Sequence, residues 1–160
     1  MKNKMSKKSV KRRYFQILFF SIIFTFHFLQ YVFPATQENR KVSVAIPDGR
    51  VIQAKVADTT GLRSRGLMGK SQLKPNEGML FIFDAADLHM MWMKNMAISI
   101  DMIWLNENKE IIAITPALPP CQIDPCPIYG PSTPSRYVLE ISAGGSLSFH
   151  LREGIKLKFP

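Results

Sequence analysis

Two cysteines, a methionine-rich octapeptide and a scatter of aromatic and charged side chains carry most of the chemistry this sequence offers. Cys121 and Cys126 are the only thiols, with four residues between them in a proline-rich stretch. Two cysteines in a domain on the oxidising side of a membrane are expected to pair as a disulfide that staples the loop. The Cys-Xaa-Xaa-Cys spacing of a redox pair at a helix start is absent. Metal ligation by the two thiolates would need two more strong ligands, and none stands out. Free thiols are the remaining alternative.

Residues 89–96 read HMMWMKNM. Thioethers and an imidazole suit Cu(I) where thiolates would be lost to oxidation. His89, Met91, Met93 and Met96 are therefore the candidate ligands of a copper site, with Trp92 as a shield. The plainer role is core packing, because methionine fills irregular gaps and Met90 falls on the opposite strand face from Met91 and Met93. No cofactor is expected, and Cu(I) is held as the alternative.

Trp92, Lys94, Asn95 and Asp101 lie in one strand–turn–strand neighbourhood, while Tyr129, Arg136 and Tyr137 flank the Pro-Cys loop. If those loops meet, they make a shallow site with aromatic faces, cations and a carboxylate, suited to a sugar or a peptide. The competing roles are an Asp101 ion pair with Lys94 or Arg136 and a turn at Asn95. Arg63 and Arg65 could recognise an acidic group, but a solvated helix face explains them as well. For catalysis the sequence supplies no pattern. Neither His89 nor His150 sits in a metalloprotease, nucleophile-elbow or phosphate-loop motif, and no catalytic residue is assigned.

These residues must be positioned by short elements. KVSVAI (41–46) and 51–56 alternate around the turn Pro47-Asp48-Gly49, predicting a β-hairpin. Asp58 and Thr59 can cap a short helix over 60–68 that stops at Gly69. Further strands are expected over 79–83, 89–93, 98–105, 110–115 and 136–141, then a short helix over 144–152 and a last strand over 155–159. Residues 116–134 hold seven prolines and both cysteines and read as a constrained loop. About seven short strands with one or two short helices predict a mainly β domain, a compact sandwich or barrel.

Ahead of that domain, residues 14–33 form a run of 20 residues without Asp, Glu, Lys or Arg. A helix of that length spans roughly 30 Å, the thickness of the bilayer's hydrocarbon. Seven cations precede it (Lys2, Lys4, Lys7, Lys8, Lys11, Arg12 and Arg13), and by the positive-inside rule they stay in the cytoplasm. Signal cleavage after Ala35 would put bulky Phe33 three residues before the cut. The segment is thus a signal peptide or a transmembrane anchor, with the anchor favoured. The organisation expected is a basic region 1–13, a membrane segment 14–33, a linker 34–41 and a domain 42–160. The domain lies on the translocated side of a bacterial inner membrane, anchored or secreted.

The formal charge of +9 belongs mainly to that leader; removing its seven cations leaves +2. A domain of mixed sign and so small a net charge has no field for following a phosphate backbone, and no nucleic-acid partner is expected.

In order along the chain, VADTTGLRSRGLMG (56–69), GMLFIF (78–83), MWMKNMAISIDMIWL (91–105), PPCQIDPCPIYG (119–130) and RYVLEISAG (136–144) resemble the bacterial and archaeal family catalogued as domain of unknown function number 192. The resemblance covers nearly all of 42–156 and implies a compact, mostly β domain, often behind a signal peptide. It implies no activity. The sequence departs from the family's pattern after Gly154-Ile155-Lys156, which leaves the length of the last strand open. The expected function is a non-enzymatic binding or accessory module of the cell envelope, acting on a small ligand or an envelope protein. The alternatives are a Met/His copper-binding protein and a small enzyme of unknown reaction.

Overall fold

The alternating runs KVSVA and VIQAKVA become β1 (Lys41–Ala45) and β2 (Val51–Ala57), an antiparallel hairpin with Val44 facing Ile52. The computed structural model describes residues 40–160. The basic leader, the membrane segment and most of the linker expected from the sequence lie outside the described residues. After β2 come α1 (Thr60–Arg65), β3 (Glu77–Asp87), β4 (Met91–Trp92), β5 (Ile100–Leu105) and β6 (Ile111–Leu118). The chain continues through β7 (Ile128–Tyr129), β8 (Ser135–Ser142) and α2 (Gly145–Ser148).

Six strands form one mixed sheet in the order β1-β2-β3-β8-β5-β6, and β4 and β7 form a separate two-stranded ribbon. All neighbours in the large sheet are antiparallel except β2 and β3, which the crossover through α1 makes parallel. The fold is thus mainly β with two short helices. The central strands are apolar on both faces because both faces are covered. All six residues of β5 are buried, including Trp104.

One face packs Ile52, Leu80, Ile103, Leu139 and Ile141 against Phe149, Leu157 and Phe159 from the last part of the chain. The other packs Phe81, Met102, Trp104 and Val138 under Leu67, Met93 and Met96, which arrive from the segments after α1 and β4.

Several element lengths differ from expectation for local reasons. The helix ends at Arg65 rather than Met68, because Gly66 takes φ 49° and its N–H returns to the Leu62 carbonyl. The strand expected over 89–93 shrinks to Met91–Trp92, since its partner β7 has only Ile128 and Tyr129 to offer between Pro127 and Gly130. Residues 155–159 make no full strand. Instead Lys158 exchanges backbone hydrogen bonds with Ala45 at 2.8 and 3.0 Å, and the Leu157 N–H donates to the Lys109 carbonyl. This segment therefore reaches both β1 and the start of β6, the two edges of the sheet.

Candidate functional site

The covered face that carries Met93 and Met96 is not filled completely. A cavity of about 390 Å³ lies between α1 and the β4–β7 ribbon, over β3 and β8.

One wall is α1. Thr59 caps it, its hydroxyl accepting from the Leu62 N–H at 3.3 Å. The Arg63 guanidinium donates to the carbonyls of Asp58 (2.8 Å) and Ile82 (2.9 Å) and lies 5.4 Å over the Phe83 ring. Those contacts fasten the helix to β3. The turn after it is tied across the cavity, the Gly69 N–H donating to the Asn95 carbonyl at 3.2 Å.

The opposite wall is the ribbon, where Met91 pairs with Tyr129 and Trp92 with Ile128. The two loops behind it are knitted together. Cys121 donates its N–H to the Met93 carbonyl and accepts from the Asn95 N–H, at 3.0 and 3.1 Å. Cys121 and Cys126 form a disulfide, as the sequence led us to expect. Lys94 Nζ sits 2.7 Å from Asp124 Oδ2 and 5.7 Å over the Trp92 ring. The Gln122 side-chain amide donates to the Met96 carbonyl.

The floor contains Phe81, Phe83 and Glu140. Glu140 stands on β8 between Met79 of β3 and Met102 of β5 and is 3% exposed. Its Oε2 has no hydrogen-bond partner. Desolvation by burial pushes its carboxyl up to about 8, so near neutral pH it is largely a protonated, uncharged acid. A cleft that is mostly apolar, with one buried acid and cations at its walls, is equipped to hold an apolar body with a polar group.

The residues singled out from the sequence divide. Trp92 and Lys94 line the cavity, and Tyr129 pairs beside them. Asn95 supplies the turn, with φ 58°, and acts through its backbone. Arg136 turns its guanidinium to the Asp84 carbonyl. Two residues lie elsewhere. Asp101 is fully buried and accepts from Ala117, Gly144 and Ser146, while Tyr137 packs edge-on against Phe159 on the other face of the sheet.

Of the copper candidates, Met91 and Met96 line the cavity, but Met93 is wholly buried in the core. His89 stacks on Phe83 with ring centroids 3.5 Å apart, its Nε2 2.9 Å from the Ala85 carbonyl. Met68, and Met90, which the sequence sets on the opposite strand face from Met91, line the cavity as well. Among the described residues no group of three or more His, Cys, Asp and Glu side chains is gathered as a metal would need.

Glu140 is the main residue that sequence reasoning missed. In RYVLEI it stands between the apolar Leu139 and Ile141, a strand pattern that by itself singles out no buried acid.

Two solved structures share this fold. One is a candidate transcription regulator from Sinorhizobium meliloti 1021, with TM-score 0.66, 30% identity, and coverage of 74% of this chain and 92% of that one. The other is a protein of unknown function from Novosphingobium aromaticivorans DSM 12444, with TM-score 0.68, 26% identity, and coverage of 79% and 90%. No curated protein matches the sequence. The family model described as an uncharacterised ACR, domain of unknown function 192, matches residues 43–159. With that span matched, the chain belongs to the family of domain of unknown function 192.

Proposed function

We propose that this protein is a non-enzymatic binding module of the bacterial cell envelope, held at the translocated face of the inner membrane by residues 14–33. Its cavity takes a small, mostly apolar ligand. The observation that carries the reading is the cavity itself, with Trp92 and Phe83 in its lining and the unpartnered Oε2 of Glu140 at its floor. A ligand with one hydrogen-bonding group set among apolar atoms would satisfy that oxygen and fill the space around it. The charge pattern keeps nucleic acid out of the proposal, although one structural neighbour is described as a candidate transcription regulator. Seven of the cations stand before residue 14, and the rest of the chain is nearly balanced.

The test is titration of the purified protein with the uncharged dye Nile red, whose emission rises in apolar surroundings. Ser64→Trp, at an exposed position on the α1 wall, should block the cavity and remove the signal. Equal signals from wild type and Ser64→Trp would overturn the cavity as the binding site.

One observation favours a second reading, a small enzyme. A carboxyl raised to about 8 in a cleft is what a general acid requires. Binding remains preferred because, among the described residues that line the cavity, Glu140 has no second carboxyl, histidine or cysteine beside it to share a reaction. The copper alternative now points to Met68, Met90, Met91 and Met96, the methionines that line the cavity. Retention of one Cu(I) per chain, lost in Met91→Leu, would move it ahead of the organic ligand.

A further inference from the structure

Leu88, Met90, Trp92, Ile123 and Ile128 are large apolar side chains left 50, 54, 50, 83 and 64% exposed. They come from two stretches of chain that the fold puts side by side. The ribbon pairs Trp92 with Ile128, and the bridge between Lys94 and Cys121 holds the loop that carries Ile123 next to them. An apolar rim of this kind marks a surface that meets something other than water.

The course of the chain indicates what it meets. Arg40 is where the described chain enters the domain. Its carbonyl accepts from the Val56 N–H at 2.8 Å, and its guanidinium pairs with Asp58 at 2.5 Å. Asp58 directly precedes the Thr59 cap of α1, so the chain enters beside the helix that walls the same cavity. Between Phe33, the last residue of the apolar run, and Arg40 there are only six residues. Seven peptide steps reach at most about 25 Å. If residues 14–33 span a bilayer, a domain so tethered stays within about its own diameter of it.

The chemistry of the rim agrees. Tryptophan with a long-stemmed lysine beside it suits the boundary between lipid headgroups and acyl chains. Lys94 is paired with Asp124, which leaves this part of the rim close to neutral.

We propose that the edge formed by Leu88, Met90, Trp92, Ile123 and Ile128 docks on the surface of the lipid bilayer that residues 14–33 span. Trp92 then lies roughly 5–10 Å into the headgroup–acyl boundary. The inference rests on the membrane segment of the reading above, and not on the identity of the cavity's ligand. Because the contact is apolar, it should change little with ionic strength.

The experiment uses the full chain in nanodiscs of phosphatidylcholine whose acyl chains carry bromine near the headgroup. The chain has two tryptophans, Trp92 and the fully buried Trp104, and none in residues 14–33. Bromine should quench part of the wild-type emission at low and high salt alike. It should leave the residual emission of Trp92→Phe unchanged. If the chain stays with the discs but bromine affects both proteins equally, docking is overturned and the membrane segment stands. If the chain separates from the discs, the segment falls and the docking with it. Shielding of Trp92 that ignores bromine and grows with the number of chains per disc would assign the rim to a second copy of the protein, overturning the proposal.

Discussion

Asp101 Oδ2 accepts two hydrogen bonds from a single residue, Ser146, one from its amide at 2.8 Å and one from its hydroxyl at 2.6 Å. The other oxygen accepts from Ala117 (2.8 Å) and Gly144 (3.1 Å). One buried carboxyl thus ties β5 to the end of β6 and to the first turn of α2. Replacing Asp101 with alanine orphans buried donors and should lower stability by about 2–4 kcal/mol, against about 1 kcal/mol for Ser146→Ala. Urea unfolding measures both. Nile red binding by the folded fraction should be unchanged, because neither residue reaches the cavity.

Glu140 gives stability a pH dependence of definite sign. Its carboxyl titrates near 8 when folded and near its ordinary 4.5 when unfolded. Between those values the folded state holds the extra proton, so stability falls as pH rises, by up to about 1.4 kcal/mol per pH unit. The stabilising contribution is complete below the unfolded value and gone above the folded one. Glu140→Gln cannot ionise and should flatten that slope. Urea midpoints of both proteins between about pH 5 and 8 decide it, parallel slopes counting against a buried protonated acid.

Trp92 is half exposed, so its truncation should cost little stability. We expect Trp92→Ala to shift the unfolding free energy by no more than about 0.5 kcal/mol. Loss of its contact face should weaken Nile red binding about tenfold, the equivalent of about 1.4 kcal/mol. A marked fall in melting temperature would place the indole in the packing of the ribbon instead.

The disulfide closes a short loop, with a sequence separation of 5. In the chain-entropy treatment such a closure contributes about 2 kcal/mol. Cys121→Ser/Cys126→Ser should lose about that much in urea titrations. Because the same loop holds Asn95 and Met96, the double variant should also bind Nile red more weakly.

Local order was largely legible in the sequence. The β1–β2 hairpin follows from alternation around Pro47-Asp48-Gly49, and the Thr59 cap from its place before the helix. What could not be read was long-range. Asp101 reads in the sequence as a site residue or an ion-pair partner of Lys94 or Arg136, but the donors that hold it lie 16 to 45 residues further on. Period-two alternation separates a wet face from a dry one only when one face is wet. β8 is covered on both, so its alternation does not display that Glu140 is buried. Arg63 looked like a solvated cation because its hydrogen bonds go to backbone carbonyls, which no sequence pattern displays, and its carboxylate partner Asp84 lies 21 residues away.

The segment that reaches both edges of the sheet has a consequence for how this protein behaves in company. An unpaired strand edge is a template on which another molecule can polymerise. Here Lys158 occupies the N–H and carbonyl of Ala45, and Leu157 occupies the carbonyl of Lys109. One end of each edge is thus already paired within the molecule. Resistance to fibril formation and to precipitation at high concentration is therefore entrusted in part to a few residues remote from any binding chemistry.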